Sequence, residues 1–186
     1  MVLVLPRNLR SNGSPPVGIP ERKDEVSFVF EGLPPSLNDQ YIKFRRQGGK
    51  RGVALSEEAK AFEKQVRSVV GSQVFQLQGF PTGDKEVMYE LEIHLYFEQL
   101  ENPGWFDTYV RGEHAGERKA QSRFKKLDVD NRVKFLQDRL CAAIGIPGDE
   151  QIFHGGDPWK HQSKHSRTEV TLRVLNDRKK FFPEEP

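Results

Sequence analysis

Residues 126–152, KLDVDNRVKFLQDRLCAAIGIPGDEQI, constrain the chain more than any other stretch. Val133, Leu136, Leu140 and Ile144 recur at helical spacing, and Gly145 with Pro147 supplies the stop. That spacing predicts a helix over 131–144. Ahead of it, an extended Leu127-Asp128-Val129-Asp130 would point Asp128 and Asp130 to the same side, because side chains alternate along a strand. Two carboxylates facing one way repel unless a positive charge sits between them. Lys134 and Asp138 lie one helical turn apart on a more polar face, and Asp149-Glu150-Gln151-Ile152 follows a Gly-Ile-Pro-Gly turn. Asp128, Asp130 and Asp149 near Lys134 make a candidate site for a hard cation.

A length of 186 residues suits one domain with a sizeable core and some excess for tails. With 29 basic and 27 acidic residues, net charge alone points to no nucleic-acid partner, so local clustering must carry that case. The single cysteine, Cys141, excludes an intramolecular disulfide framework and a Cys-rich zinc site. It falls inside the helix pattern, where a buried thiol is the plain reading and a reducing, cytoplasmic compartment the natural setting. Met1–Leu5 is too short for a signal-peptide core, no stretch reaches membrane-spanning length, and a soluble protein is expected.

Residues 1–24 read as a flexible leader, 25–176 as the folded domain and 177–186 as a tail. Val26–Phe30 reads as a strand leading to a Pro-Pro turn. Lys43, Arg45, Arg46, Lys50 and Arg51 surround Gly48 and Gly49, a pattern of either a solvated loop or a phosphate-gripping one. Ser56 as N-cap, Glu57 and Glu58 in the first turn, and a Phe62, Val66, Val69, Val70 stripe predict a helix over 57–70. Val87–Phe97 alternates as a strand with one buried and one wetter face, placing His94 on the wet side as a solvated histidine. Residues 99–125 form a long insertion mixing Trp105, Phe106 and Tyr109 with Arg111, Arg118, Lys119, Arg123, Lys125 and the adjoining Lys126. It reads equally as an element stacking on unpaired bases at a branch point or as an insertion held by a small apolar anchor. His161 and His165, four apart, could clamp a metal on a helix, but their lysine neighbours favour a basic surface patch. Thr168–Leu175 is a closing strand. The order strand, helix, strand, helix, strand indicates an α+β fold on one mixed sheet with two main helices.

The stretch Asp128-Val129-Asp130-Asn131-Arg132-Val133-Lys134, a helix, and then Gly148-Asp149-Glu150-Gln151 resembles the RusA family of Holliday-junction resolvases. Leu33-Pro34-Pro35-Ser36-Leu37-Asn38-Asp39-Gln40-Tyr41 is similar to that family's opening element, and a basic stretch and Leu55–Phe62 follow in order. The resemblance spans roughly residues 26–175. It implies a RusA-like homodimer and a Mg²⁺-dependent endodeoxyribonuclease, with Mn²⁺ able to substitute, that resolves four-way DNA junctions by paired nicks. Asp128, Asp130 and Asp149 would hold the metal, and Lys134 would steady the phosphate or orient the water. Asn38, Tyr41, the basic loop, Arg123, Lys125 and Lys126 would contact DNA. Two departures stand out: Gly148 replaces the first residue of the family's tandem Asp-Asp, and Leu127 replaces a proline. The 99–125 insertion is longer than the family's pattern, so its role does not carry over.

Chain geometry suggests a further expectation. A helix over 131–144 is about 20 Å long, whereas Ile144 to Asp149 spans at most about 17 Å. A return of Asp149 to the acid pair of its own chain then needs nearly straight backtracking. Packing against a second copy would let each Asp149 complete the partner's site, so mixed Asp128→Asn and Asp149→Asn mutants would regain one active site per heterodimer. The rival from another class is a catalytically silent branched-DNA-binding or architectural protein. An Asp-x-Asp phosphatase is disfavoured because Asn131-Arg132 lacks the required turn.

Overall fold

Val26, Phe28 and Phe30 are buried while Glu25, Ser27, Val29 and Glu31 face outward, so the first strand, β1 (Glu25–Glu31), is pinned by its own alternation. The computed structural model describes residues 22–45, 51–127, 129–154 and 158–176; the proposed leader up to residue 21 and the tail from 177 lie outside them. β4 (Tyr89–Phe97) buries Tyr89, Leu91, Ile93, Leu95 and Phe97, and β7 (Arg167–Val174) buries Thr168, Val170, Leu172 and Val174. β7 pairs antiparallel with both β1 and β4. The far edge of β4 carries two short parallel partners in succession, β5 (Ile152–His154) and then β6 (Trp159–Gln162). The sheet is mixed, as the pattern implied.

Two long helices cover its apolar face. α2 (Glu57–Ser72) starts where expected, with the Ser56 hydroxyl accepting from Ala59 N–H, and α4 (Asp130–Ile144) ends at Gly145 in the left-handed conformation that glycine tolerates. Phe62 of α2 sits between Phe30 of β1 and Phe135 of α4, with ring centroids 6.1 and 6.3 Å away, so one aromatic line ties sheet and helices together. Two single-turn helices, α1 (Leu37–Gln40) and α3 (Val74–Leu77), are the other α-helices among the described residues.

Three elements escape the sequence pattern. The basic segment is a two-stranded antiparallel hairpin, β2 (Tyr41–Arg45) with β3 (Arg51–Leu55), detached from the main sheet. β5 and β6 are short edge strands without clear alternation. Because residues 159–162 are a strand, the helical His161/His165 clamp does not exist. His161 instead stacks on Tyr96 at 4.6 Å, and its Nε2 lies 2.9 Å from Nδ1 of His94. His94, expected to be a solvated residue, is half-buried in that ladder and also bonded to Glu92.

Candidate active site

Helix α4 begins one residue earlier than its apolar spacing suggested. Val129 already has helical backbone angles and is buried, so the segment is not extended through it. Asp130 is therefore the first helical residue and is exposed, where a carboxylate complements the unsatisfied N–H groups of a helix start. Asp128 lies outside the described residues.

Side chains from the Pro-Pro turn hold that helix start in place. Gln40, buried, donates its amide to Pro35 O and to Asn131 O, each at 3.2 Å. Arg132 donates back to Pro34 O. Ser56 N–H donates to Gln40 O at 2.8 Å, and the Ser56 hydroxyl donates to Asp39 O, so the base of the hairpin and the start of α2 converge here. Sequence reasoning passed over Gln40 and Arg132. A signal for Gln40 was its place between Asn38 and Tyr41 in the opening element.

Asp149 arrives from the other direction. It opens a single 3₁₀ turn, Asp149–Gln151, after the Gly-Ile-Pro-Gly segment. Its carboxylate Oδ2 lies 3.7 Å from the Lys134 ammonium, and its carbonyl accepts from Gln137 Nε2 at 3.5 Å. The chain does double back along α4. The expectation from chain length concerned a return to the acid pair; in the structure Asp149 reaches Lys134 of its own chain, and Lys134 is about 6 Å along the axis from Asp130. The reversal is enforced by Gln151, buried, whose amide donates to Asp84 O at 2.9 Å and Val87 O at 2.7 Å, fixing the turn against the approach to β4.

A Cβ built on Gly148 would run into both carboxylate oxygens of Glu150, so that carboxylate fills the space a side chain at 148 would take. Cys141 faces the same turn. Burial first, then Asp149, Asp138 and Glu150, push its thiol up to about 11, which leaves it protonated and inert as a nucleophile. Among the described residues no three His, Cys, Asp or Glu side chains converge on one ion position. The donors that are described are nevertheless the right kind: solvent-open carboxylates, since Mg²⁺ keeps several waters and takes one or two carboxylates with substrate phosphate.

The model for the endodeoxyribonuclease RusA family matches residues 34–173. The chain belongs to the RusA family. No curated protein matches it. The RusA match begins at the Pro-Pro turn and ends in β7, so it takes in both segments that converge on the start of α4. Membership implies nuclease activity on branched DNA. No described helix is long and apolar enough to cross a membrane.

The sequence-predicted DNA contacts fall on two projections of this RusA-family domain. Asn38 is exposed on α1, Tyr41 opens β2, and Lys43 and Arg51 are exposed on the hairpin. The Arg45 side chain, Arg46 and Lys50 lie outside the described residues. The Phe44 ring packs directly on Gly52, where a Cβ would meet it at 2.6 Å, and together with Lys43, Arg51 and Val53 it lines an open hollow of about 400 Å³. Arg123, Lys125 and Lys126 lie where the 99–125 excursion rejoins the domain. Arg123 is committed there to Glu101, with two nitrogens at 2.9 and 2.7 Å from one carboxylate oxygen.

Proposed function

We propose that the protein resolves four-way DNA junctions by paired, Mg²⁺-dependent phosphodiester hydrolysis, with Asp128, Asp130 and Asp149 as the metal-holding acids. The observation that carries this reading is the convergence of two separate segments on α4, where Asp149 meets Lys134 one helical turn beyond Asp130. Bound there, Mg²⁺ would neutralise charge on the phosphoryl oxygens and acidify a water. The protein's own contribution is orientation. Gln40 and Arg132 hold the helix start, and Gln137 and Gln151 hold the turn that presents Asp149. Lys134 is mostly exposed, so its ammonium is free to leave Asp149 and meet a scissile phosphate as negative charge builds.

Glu150 takes over the place of the family's first tandem aspartate. Its carboxylate occupies the volume beside Gly148 from which that side chain would project, which supports an assisting role in holding the metal. The hairpin suits the DNA groove: a two-stranded ribbon fits the major groove, and Lys43 and Arg51 are on its surface. A homodimer with one complete site per copy would place two nicks symmetrically, and Asp149 serves its own chain.

Incubating the protein with a synthetic four-way junction and with linear duplex, with and without Mg²⁺ or Mn²⁺, tests this. Expected are paired nicks in the junction only when metal is present, and junction binding without cutting in Asp130→Asn. Junction binding with no nicking by the wild type under any metal would favour a silent architectural protein instead.

A further inference from the structure

The 99–125 excursion is a built structure with a mouth. Its neck is closed by the Glu101–Phe124 bridge, by Asn102 N–H donating to Arg123 O at 2.7 Å, and by Lys125 N–H donating to Leu100 O at 2.9 Å. Further out, Ala120 N–H donates to Gly104 O and packs Ala120 against the 103–105 turn, while the Arg118 guanidinium covers the Trp105 ring at 3.8 Å. The apolar anchor considered from the sequence is thus present in Trp105 and Ala120. It leaves the remaining aromatics unburied.

Between neck and anchor lies an open groove of about 760 Å³, lined by Asn102, Lys119, Gln121, Ser122, Phe124 and Lys126 with Ala120 at its floor. Its size is within the range of small-molecule sites. Its chemistry is selective: two ammonium groups, two side-chain amides, a hydroxyl, an aromatic ring and no carboxylate line it, in a chain with 27 acidic residues. Phe124 is 60% exposed although its backbone is fixed in the neck bridge, and among the described residues only the Arg123 guanidinium, 5.5 Å from the ring centroid, lies over its ring. Lys126 makes no ion pair among the described residues, and Lys119 has only a loose one to Asp107 at 3.7 Å. A ring held in water beside cations matches one ligand chemistry, a planar base carrying a phosphate, because stacking suits any base and the ammonium groups meet the backbone.

We propose that this groove receives an unpaired nucleotide of the DNA substrate, its base stacked on Phe124, its phosphate between Lys119 and Lys126, and its base edge within reach of Asn102 and Gln121. The assignment rests on the junction-cutting reading for its biological use, but not for its chemistry. Position ties the two together. Lys126 precedes Asp130 by four residues, at most about 14 Å of chain, or roughly four base steps of 3.4 Å. A nucleotide drawn into the groove is therefore within a few steps of a phosphate at the acids. A base already unpaired at a branch point enters the groove at a lower unstacking cost than a base of linear duplex does.

The test uses metal-free protein, so that binding is read apart from cutting. Short oligothymidylate and a four-way junction carrying 2-aminopurine at successive positions around the crossover are titrated with wild type, Phe124→Ala, Phe124→Trp and Lys119→Ala/Lys126→Ala. Expected is an emission change at one or two positions near the crossover that Phe124→Ala abolishes and Phe124→Trp keeps. Loss of the ring should also weaken oligothymidylate binding about 5- to 100-fold, while linear duplex binding changes little. The double lysine variant should weaken oligothymidylate binding and flatten its salt dependence. Equal binding of oligothymidylate by wild type and Phe124→Ala, with circular dichroism confirming that both fold, would overturn the proposal, as would an emission change that persists without the ring. Should the wild type bind oligothymidylate in a Phe124-dependent way yet never nick a junction with metal, the junction-cutting reading falls and the groove stands.

Discussion

Mixing two inactive variants separates a site completed within one chain from a site shared between chains. Asp149 lies 3.7 Å from Lys134 of its own chain, and Lys134 follows Asp130 by one helical turn of about 6 Å. In the proposed site one phosphate meets all three groups without a second copy. If Asp130→Asn and Asp149→Asn are mixed in equal amounts and subunits exchange fully, half the dimers are mixed. A shared site would then leave one intact centre in each, about a quarter of the wild-type number. A site built in one chain leaves none, because each subunit carries one defect. The reciprocal mixture, wild type with the Asp130→Asn/Asp149→Asn double variant, reverses the contrast. Sites within one chain keep about half of the wild-type centres, and shared sites about a quarter. Nicking of a fluorescent four-way junction in Mg²⁺, with exchange verified by differently tagged subunits, reads both ratios. Recovery near a quarter in the first mixture would refute the assignment of Asp149 to its own chain.

Lys134→Ala should cut junctions about 10²- to 10³-fold more slowly yet melt within about 4 °C of wild type, since an exposed ion pair is worth at most about 1 kcal/mol; a larger drop in melting temperature would mean a structural lysine. Glu150→Gln should raise the Mg²⁺ concentration needed for half-maximal cleavage, and Gly148→Asp in that background should lower it again, because residue 148 has an extended backbone and the neutral amide side chain can swing away; unchanged metal dependence in Glu150→Gln would remove Glu150 from the site. Cys141 should resist iodoacetamide at pH 8 in folded protein and react once unfolded. Its folded pKa is raised, so the folded state holds a proton that the unfolded state loses; stability should fall as pH climbs from about 9 toward 11, and Cys141→Ala should flatten that part of a pH–melting curve. Ser56→Ala should cost about 1 kcal/mol, since it removes the acceptor for Ala59 N–H; an unchanged denaturation midpoint would contradict the capping role.

The long periodic elements were legible because burial writes itself into spacing. β1, β4 and β7 alternate cleanly, and α2 carries both its cap and its stripe. The hairpin was not, since Tyr41, Ile42, Phe44 and Val53 stay exposed and no buried face imposes a period. β5 and β6 are three and four residues long, too short for a pattern, and owe their form to the free edge of β4. The acids and the lysine stood out by type and spacing, but the return of Asp149 did not. Extended-chain arithmetic bounds reach and says nothing of direction, and direction came from Gln137 and Gln151, two amides that look unremarkable in a sequence. His161 likewise found its partners through strand pairing with β4, information that lies 67 residues away.

The closed neck of the excursion also bears on how such a domain can diversify. Leu100 and Lys125 are hydrogen-bonded across its mouth, so the outgoing and incoming strands of the detour already touch where they leave the nuclease body. Everything distal to that clasp could be shortened, lengthened or exchanged for a foreign segment without rerouting a sheet strand or moving α4. Closing a longer detour costs little, about 0.6 kcal/mol for each doubling of length. If the groove takes a nucleotide as proposed, the clasp makes the insertion a cassette, one through which substrate preference can evolve while the cutting machinery stays as it is.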